Sequence, residues 1–142
     1  PSLRANGVRV AGGNAAVLQK VEGGEAIVGV VLLENILAAQ GRGSAVEVLW
    51  PGDGAALIPG PAAILATSRN PIAARAFIDL LLSPEGQRVV RELGDMNAVD
   101  PRQPGPRESP PIEAVIAKSL PFDEALLDEG LTRGPELKAR FS

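Results

Sequence analysis

The chain contains no cysteine, no histidine and no tyrosine. Without cysteine or histidine there are no disulfides, thiolate nucleophiles or imidazole bases, and the usual zinc and copper ligands are missing. Most enzyme mechanisms lose their principal side chains, so a non-enzymatic role with no catalytic residues, no bound metal and no cofactor is expected. Aromatic residues are only 3% of the sequence, leaving few platforms on which bases or sugars could stack; Trp50 is the one wide ring. The absence of cysteine suits an oxidising compartment and a cytoplasmic one equally. No apolar run approaches the roughly 18 residues needed to span a bilayer. The opening PSLRANGVRV has neither a charged n-region nor an apolar h-region. Either the chain is cytoplasmic, or an N-terminal portion lies upstream or has been removed.

The 142 residues amount to about one average domain, able to bury roughly 70% of its unfolded surface. The 14 basic and 17 acidic residues are mixed along the chain. They form no basic stripe of the kind counterion release requires, so nucleic acid is not expected as a partner.

What is present reads as alternating strands and helices. Val8 and Val10 suggest a strand, from Leu3 onward, that closes into a Gly12-Gly13 turn. Asn14 then stands as a cap for AAVLQKV, a helix expected to stop at Gly23-Gly24. Ala26 to Leu32 is β-branched and continuous, as a strand covered on both faces would be. ENILAAQG reads as a helix closed by Gly41, and AVEVLW as a strand with Val46 and Val48 on one face. This rhythm predicts an α/β fold, with a mixed sheet flanked by helices.

After the loop WPGDGAALIPGP, the stretch AAILATS is expected to be extended, because Pro59 and Pro61 disfavour helix before them. Two helices follow under one rule: Asn70 caps with Pro71 at the first helical position, and Ser83 with Pro84 repeats it. In the first, Ile72, Ala73, Ala76, Phe77, Leu80 and Leu81 form an apolar face, with Arg75 and Asp79 opposite. In the second, Val89, Val90 and Leu93 should face inward, with Gly94 ending the helix. Asp95 to Pro111 is a proline-rich connection. IEAVIAKSL, DEALLDEG and PELKARF read as short C-terminal helices, the last two started by Asp123 and Pro135.

In order, GGEAIVGVVLLENILAAQG, AVEVLWPGDGAALIPGPAAIL and NPIAARAFIDLLLSPEGQ resemble the periplasmic substrate-binding proteins of ABC importers, in the ferric-iron, phosphonate and sugar-phosphate class. The last segment matches the pattern N-P-x-A-A-x-x-F-I-D-x-L-L-S-x-E-G-Q from Asn70 to Gln87. The resemblance covers roughly residues 6–100. It implies part of a type II periplasmic-binding-protein fold, in a family about twice this length whose two lobes close on a ligand; the matching segments belong to the second half. On that basis residues 1–54 are a partial second lobe, 55–68 a hinge-crossing strand, 69–94 helices of the partial first lobe, 95–111 the proline-rich connection and 112–142 C-terminal helices. The implied function is solute capture in the periplasm, with a small polar or anionic solute or metal complex and an ABC permease as partners. Apolar surface bared by truncation would favour a homo-oligomer. The rival readings are the effector-sensing domain of a transcription regulator and a self-associating fragment with no transport role.

Family position and helix-end chemistry together mark Gly13, Asn14, Ala15, Leu33, Glu34 and Asp53 as ligand-binding candidates. The turn at Gly13-Asn14-Ala15 offers free amides and a positive dipole end to a phosphate or carboxylate; the plain alternative is a cap after a strand. Leu33 and Glu34 lie where ferric-binding relatives place paired tyrosines, so tyrosinate coordination of ferric iron is not expected here. Glu34 has the chemistry to meet an ammonium or hydroxyl group, or simply to serve the helix dipole. Asp53, in PGDG, takes the family's P-x-E/D-G position at the cleft or hinge, or is an ordinary turn aspartate. Glu22 and Glu25, and the group Asp123, Glu124, Asp128 and Glu129, read as solvated helix faces and caps. Nothing matches a P-loop or a nucleophile elbow.

Overall fold

The computed structural model of the chain describes residues 5–107, 109–120 and 124–139. Among these, six helices are defined: α1 Asn14–Glu22, α2 Leu33–Gly41, α3 Pro71–Leu82, α4 Pro84–Gly94, α5 Ile112–Ala117 and α6 Glu124–Ala139. Leu3, Asp123 and Phe141, which belong to the expected first strand and last helices, lie outside the described residues.

The expected sheet is not there. Val8–Val10, Ala26–Leu32, Ala45–Trp50 and Ala62–Ser68 run without ladder partners among the described residues, and the one bridge is an isolated parallel contact between Ala55 and Ser119. The α/β mixed-sheet expectation, and with it the type II architecture, is therefore corrected to a helical arrangement joined by extended segments. A β-branched run sets the local backbone, but a strand becomes part of a sheet only when a remote segment supplies the hydrogen bonds. The segment 26–32 lies across α1 instead. A Cβ built on Gly29 would meet Val17 Cγ1 at 2.6 Å and Val21 Cγ2 at 3.1 Å, so only glycine permits this approach. Ile27 and Val30 then point away, 96% and 92% exposed.

The proline-started helices form as expected, and the structure shows why their motif has its spacing. Asn70 Oδ1 accepts from Ala73 N at 3.1 Å, and Ser83 Oγ accepts from Gly86 N at 3.1 Å, each satisfying an amide that the helix start leaves free. Ser83 also donates to Leu80 O, closing α3 with the residue that opens α4. Gly86 is buried against the end of α3: an added Cβ would lie 2.1 Å from Leu80 O and 2.6 Å from Leu81 O. Gln87, only 4% exposed, donates through Nε2 to Leu81 O at 2.8 Å and accepts from Val99 N through Oε1 at 2.7 Å. The motif is thus a helix corner in which cap, proline, small residue and amide clamp each have a mechanical role.

The inward faces differ from expectation. Ala74, Ile78 and Leu81 are the partly covered residues of α3, while Ile72, Phe77 and Leu80 stand exposed. In α4, Val90 is partly covered, but Val89 and Leu93 are exposed. Helical period identifies an apolar stripe, whereas coverage depends on the neighbour that meets it, and α3 and α4 meet each other along a narrower line. Each exposed side chain of this size forgoes the roughly 1.5–3 kcal/mol that full burial would supply. Among the described residues, the buried apolar side chains include Leu18, Leu37 and Ala39 in α1 and α2, then Ala98 and Val115.

Residues 95–107 and 109–111 form a strap. Asp95, buried with φ 52°, ends α4 in the left-handed conformation and accepts from Arg107 Nε at 2.5 Å. Gly105 and Pro106 are buried beneath the return of the chain, where a Cβ at 105 would meet Ser109 O and Pro110 O within 2.4 Å. α5 follows as expected. The two expected final helices are instead one, α6, with Pro135 inside it. Pro135 removes one amide donor from the helix, and the preceding Gly134 has no Cβ to meet the proline ring.

Candidate functional site

α1 begins at a glycine because its backbone demands one: Gly13 has φ 104° and ψ 176°, a region that side chains rarely adopt. Gly13 N donates to Ala11 O at 2.8 Å, tightening the turn into the helix. Asn14 is not the cap expected from its position. It is the first residue of α1, and its Oδ1 accepts from Leu32 N at 3.3 Å, eighteen residues away. Leu32 is in turn the residue that opens α2. One side chain therefore ties the starts of two helices together.

Neither start has a side-chain cap. Each helix leaves first-turn amides without intrahelical partners and carries a positive dipole end, so the pair concentrates donors in one place. Gly13 and Ala15 are exposed, and Asn14, Leu33 and Glu34 are partly covered. Glu34 lies in the first turn of α2, where a carboxylate favours the helix and limits how much further negative charge the place can take. The arrangement suits a group that accepts several amide hydrogen bonds, such as a phosphate or carboxylate, with Glu34 positioned to accept from a hydroxyl or ammonium on the same molecule.

The structure brings together five of the six candidates: Gly13, Asn14 and Ala15 on one helix start, Leu33 and Glu34 on the other. Asp53 stands apart. It occupies an exposed turn whose next residue, Gly54 (φ 117°), approaches Lys118 O and Leu120, while Ala55 N donates to Lys118 O at 3.1 Å and Ala55 O accepts from Leu120 N at 2.9 Å. The small pocket beside it, bounded by Trp50, Pro51, Ala55 and Val115, holds only about 90 Å³. That is well short of the roughly 300 Å³ at which small-molecule sites begin.

Elsewhere several charged groups form ion pairs. Lys20 Nζ lies 2.8 Å from Glu25 Oε2 and holds that carboxyl below its ordinary range, mainly by the hydrogen bond it donates. Arg107 is shifted up by its hydrogen bond to Asp95. Gly29 is the contact that sequence reading passed over. Its signal was available as a lone glycine within a β-branched run, which marks a close backbone approach. The link from Asn14 to Leu32 had no such signal.

Residues 1–94 match the family described as bacterial extracellular solute-binding protein, a match that begins ahead of α1 and ends on the last residue of α4. Comparison with curated proteins and with solved structures finds no match. Since the matched region takes in well over half of the 142 residues, both helix starts and the whole α3–α4 corner, the chain belongs to the bacterial extracellular solute-binding protein family.

Proposed function

We propose that this chain is the solute-capturing part of an ABC-importer receptor, working in the periplasm without chemical change to its solute. The adjacent, uncapped helix starts of α1 and α2 carry this reading, because they leave first-turn amides beside one another in a family defined by solute binding. The solute class that suits them is a small polar anion, a phosphate, phosphonate or carboxylate bearing hydroxyl groups, or a metal complex presenting such groups. With no tyrosine in the chain, a bare ferric ion held by tyrosinates is a poor fit.

Residues 1–54 and 69–94 would then belong to different lobes, with 55–68 crossing between them. In support, α1 packs with α2 and α3 with α4, and an extended segment joins the pairs. An open helix-start site gains a second wall when the lobes close on the solute, and closure draws its energy from contacts to both. The chain would be one portion of such a receptor, docking on a permease. Its exposed Ile27, Ile72 and Phe77 would favour self-association in isolation.

The test is calorimetric titration with inorganic phosphate, methylphosphonate, a hexose phosphate and citrate, alongside Ala15→Glu. That change puts a carboxylate where the anion would sit and, at a helix start, favours the helix. Saturable binding of at least one anion, weakened about tenfold or more by Ala15→Glu, with a solution mass above 14.7 kDa, is the expected result. Absence of heat with all four, or binding indifferent to Ala15→Glu, would sink the site.

A further inference from the structure

Among the described residues the helices form two pairs that are each internally packed: α1 with α2, and α3 with α4. Both pairs lie within the family-matched residues 1–94, whereas the strap that reaches both lies outside them. Its anchorage to the second pair is twofold. Val99 N donates to Gln87 Oε1 at 2.7 Å, and Arg107 Nε donates to Asp95 Oδ1, the carboxylate at the left-handed end of α4. Its reach to the first pair is through the same arginine. The guanidinium of Arg107 lies over Gly41, the last residue of α2, with Nη2, Cζ and Nη1 each 3.0–3.1 Å from where a Cβ would stand. A cation at that end of a helix meets the negative dipole end, while the carboxylate behind it fixes the planar group in place. The close approach is possible because residue 41 is a glycine.

We propose that Arg107 is a latch: bridging Asp95 on α4 and the C-terminal end of α2, it sets the orientation of the α1–α2 pair relative to the α3–α4 pair. Asp95 is buried beside a half-exposed Arg107. Removing either partner frees the other without opening a cavity in the small apolar cores, so release separates the pairs rather than melting them. Arginine is required because a single group must serve a carboxylate through Nε while its outer nitrogens cover the helix end, which a lysine ammonium cannot span.

The experiment uses the full chain, whose lack of native cysteine leaves label sites unambiguous. Spin labels at Gln19→Cys on α1 and Leu93→Cys on α4, both exposed positions, report the distance between pairs. A narrow distribution is expected with Asp95 and Arg107 intact. Asp95→Asn, though Asp95 lies nowhere near α2's end in sequence, should broaden it at least twofold with helical circular dichroism unchanged. Arg107→Gln should do the same, and the double variant no more than the larger single. An unchanged width in both singles overturns the latch, as does additive broadening, which would mean independent roles. Should Asp95→Asn lose helix, Arg107→Lys decides: broadening with helix retained supports the latch, while an unaltered width, or loss of helix there too, refutes it.

Discussion

Gly86→Ala sets two rules of physical chemistry against each other. Helix propensity alone favours alanine by about 0.8–1 kcal/mol at an ordinary helical position. In α4, however, the new Cβ would lie 2.1 Å from Leu80 O and 2.6 Å from Leu81 O. Both obstacles are backbone carbonyls of α3, which cannot rotate aside as a side chain would. Restoring ordinary contact near 3.4 Å requires α4 to move by about 1 Å, and overpacking of this kind costs roughly 1–3 kcal/mol or more. That displacement also strains the clamp of Gln87, whose two hydrogen bonds, to Leu81 O and from Val99 N, contribute about 1 kcal/mol each. The expected net effect is a loss of about 2–4 kcal/mol. Urea unfolding followed by far-ultraviolet circular dichroism measures it, with Gly130→Ala in α6 as the control. At Gly130 an added Cβ meets nothing within 4 Å, so propensity should act alone and give a gain of up to about 1 kcal/mol. A stabilising Gly86→Ala, or equal effects at the two sites, would refute the claim that this glycine exists to let α4 close against α3.

Two further outcomes follow from the same geometry. Gly29→Val improves the β-branched run by propensity, yet it should cost about 1–3 kcal/mol in the urea midpoint because the new side chain collides with Val17 and Val21; Val17→Ala should recover much of that loss in a double-mutant cycle, and purely additive losses would show the contact to be wrong. Glu25, Glu85 and Asp100 are held below their ordinary range by hydrogen bonds from Lys20, Arg88 and Arg102. Their folded values lie under their unfolded ones, so their stabilisation is complete above about pH 5, begins to fade through the ordinary carboxylate range and is lost as pH falls further. The urea midpoint should hold from pH 7 to 5 and decline below about pH 4, more shallowly in high salt because these are surface pairs. A midpoint that rises on acidification would contradict the assignment.

What could be read from the sequence is what fits within a helical turn or two. The caps Asn70 and Ser83, the prolines after them and the stop at Gly23 each depend on residues three or four apart, and each is found where the pattern put it. The extended segments also kept their local imprint. Ser44, Val46 and Val48 are partly covered while Ala45, Glu47 and Leu49 are exposed, the alternation of a strand, although among the described residues no second strand pairs with it. The sheet was misjudged at this point, because alternation describes one segment and a ladder needs two.

The candidate site divides along the same line. Free amides at two separate helix starts could be anticipated from helix-end chemistry and family position, but their union could not, since it rests on Asn14 reaching Leu32 rather than capping its own helix. Nor does residue type disclose tertiary meaning. Gly29, Gly86 and Gly105 occupy places where no Cβ fits, Gly12, Gly130 and Gly134 meet nothing, and all six are alike on the page. Arg107 carries the point furthest. Within its proline-rich stretch it resembles a solvated charge, and only the fold sets it between Asp95 and Gly41, where one side chain reaches both helix pairs. If that contact governs their orientation, the protein's geometry is held by residues beyond the family-matched region, and recognition of residues 1–94 alone would not reveal how its two helix pairs are held.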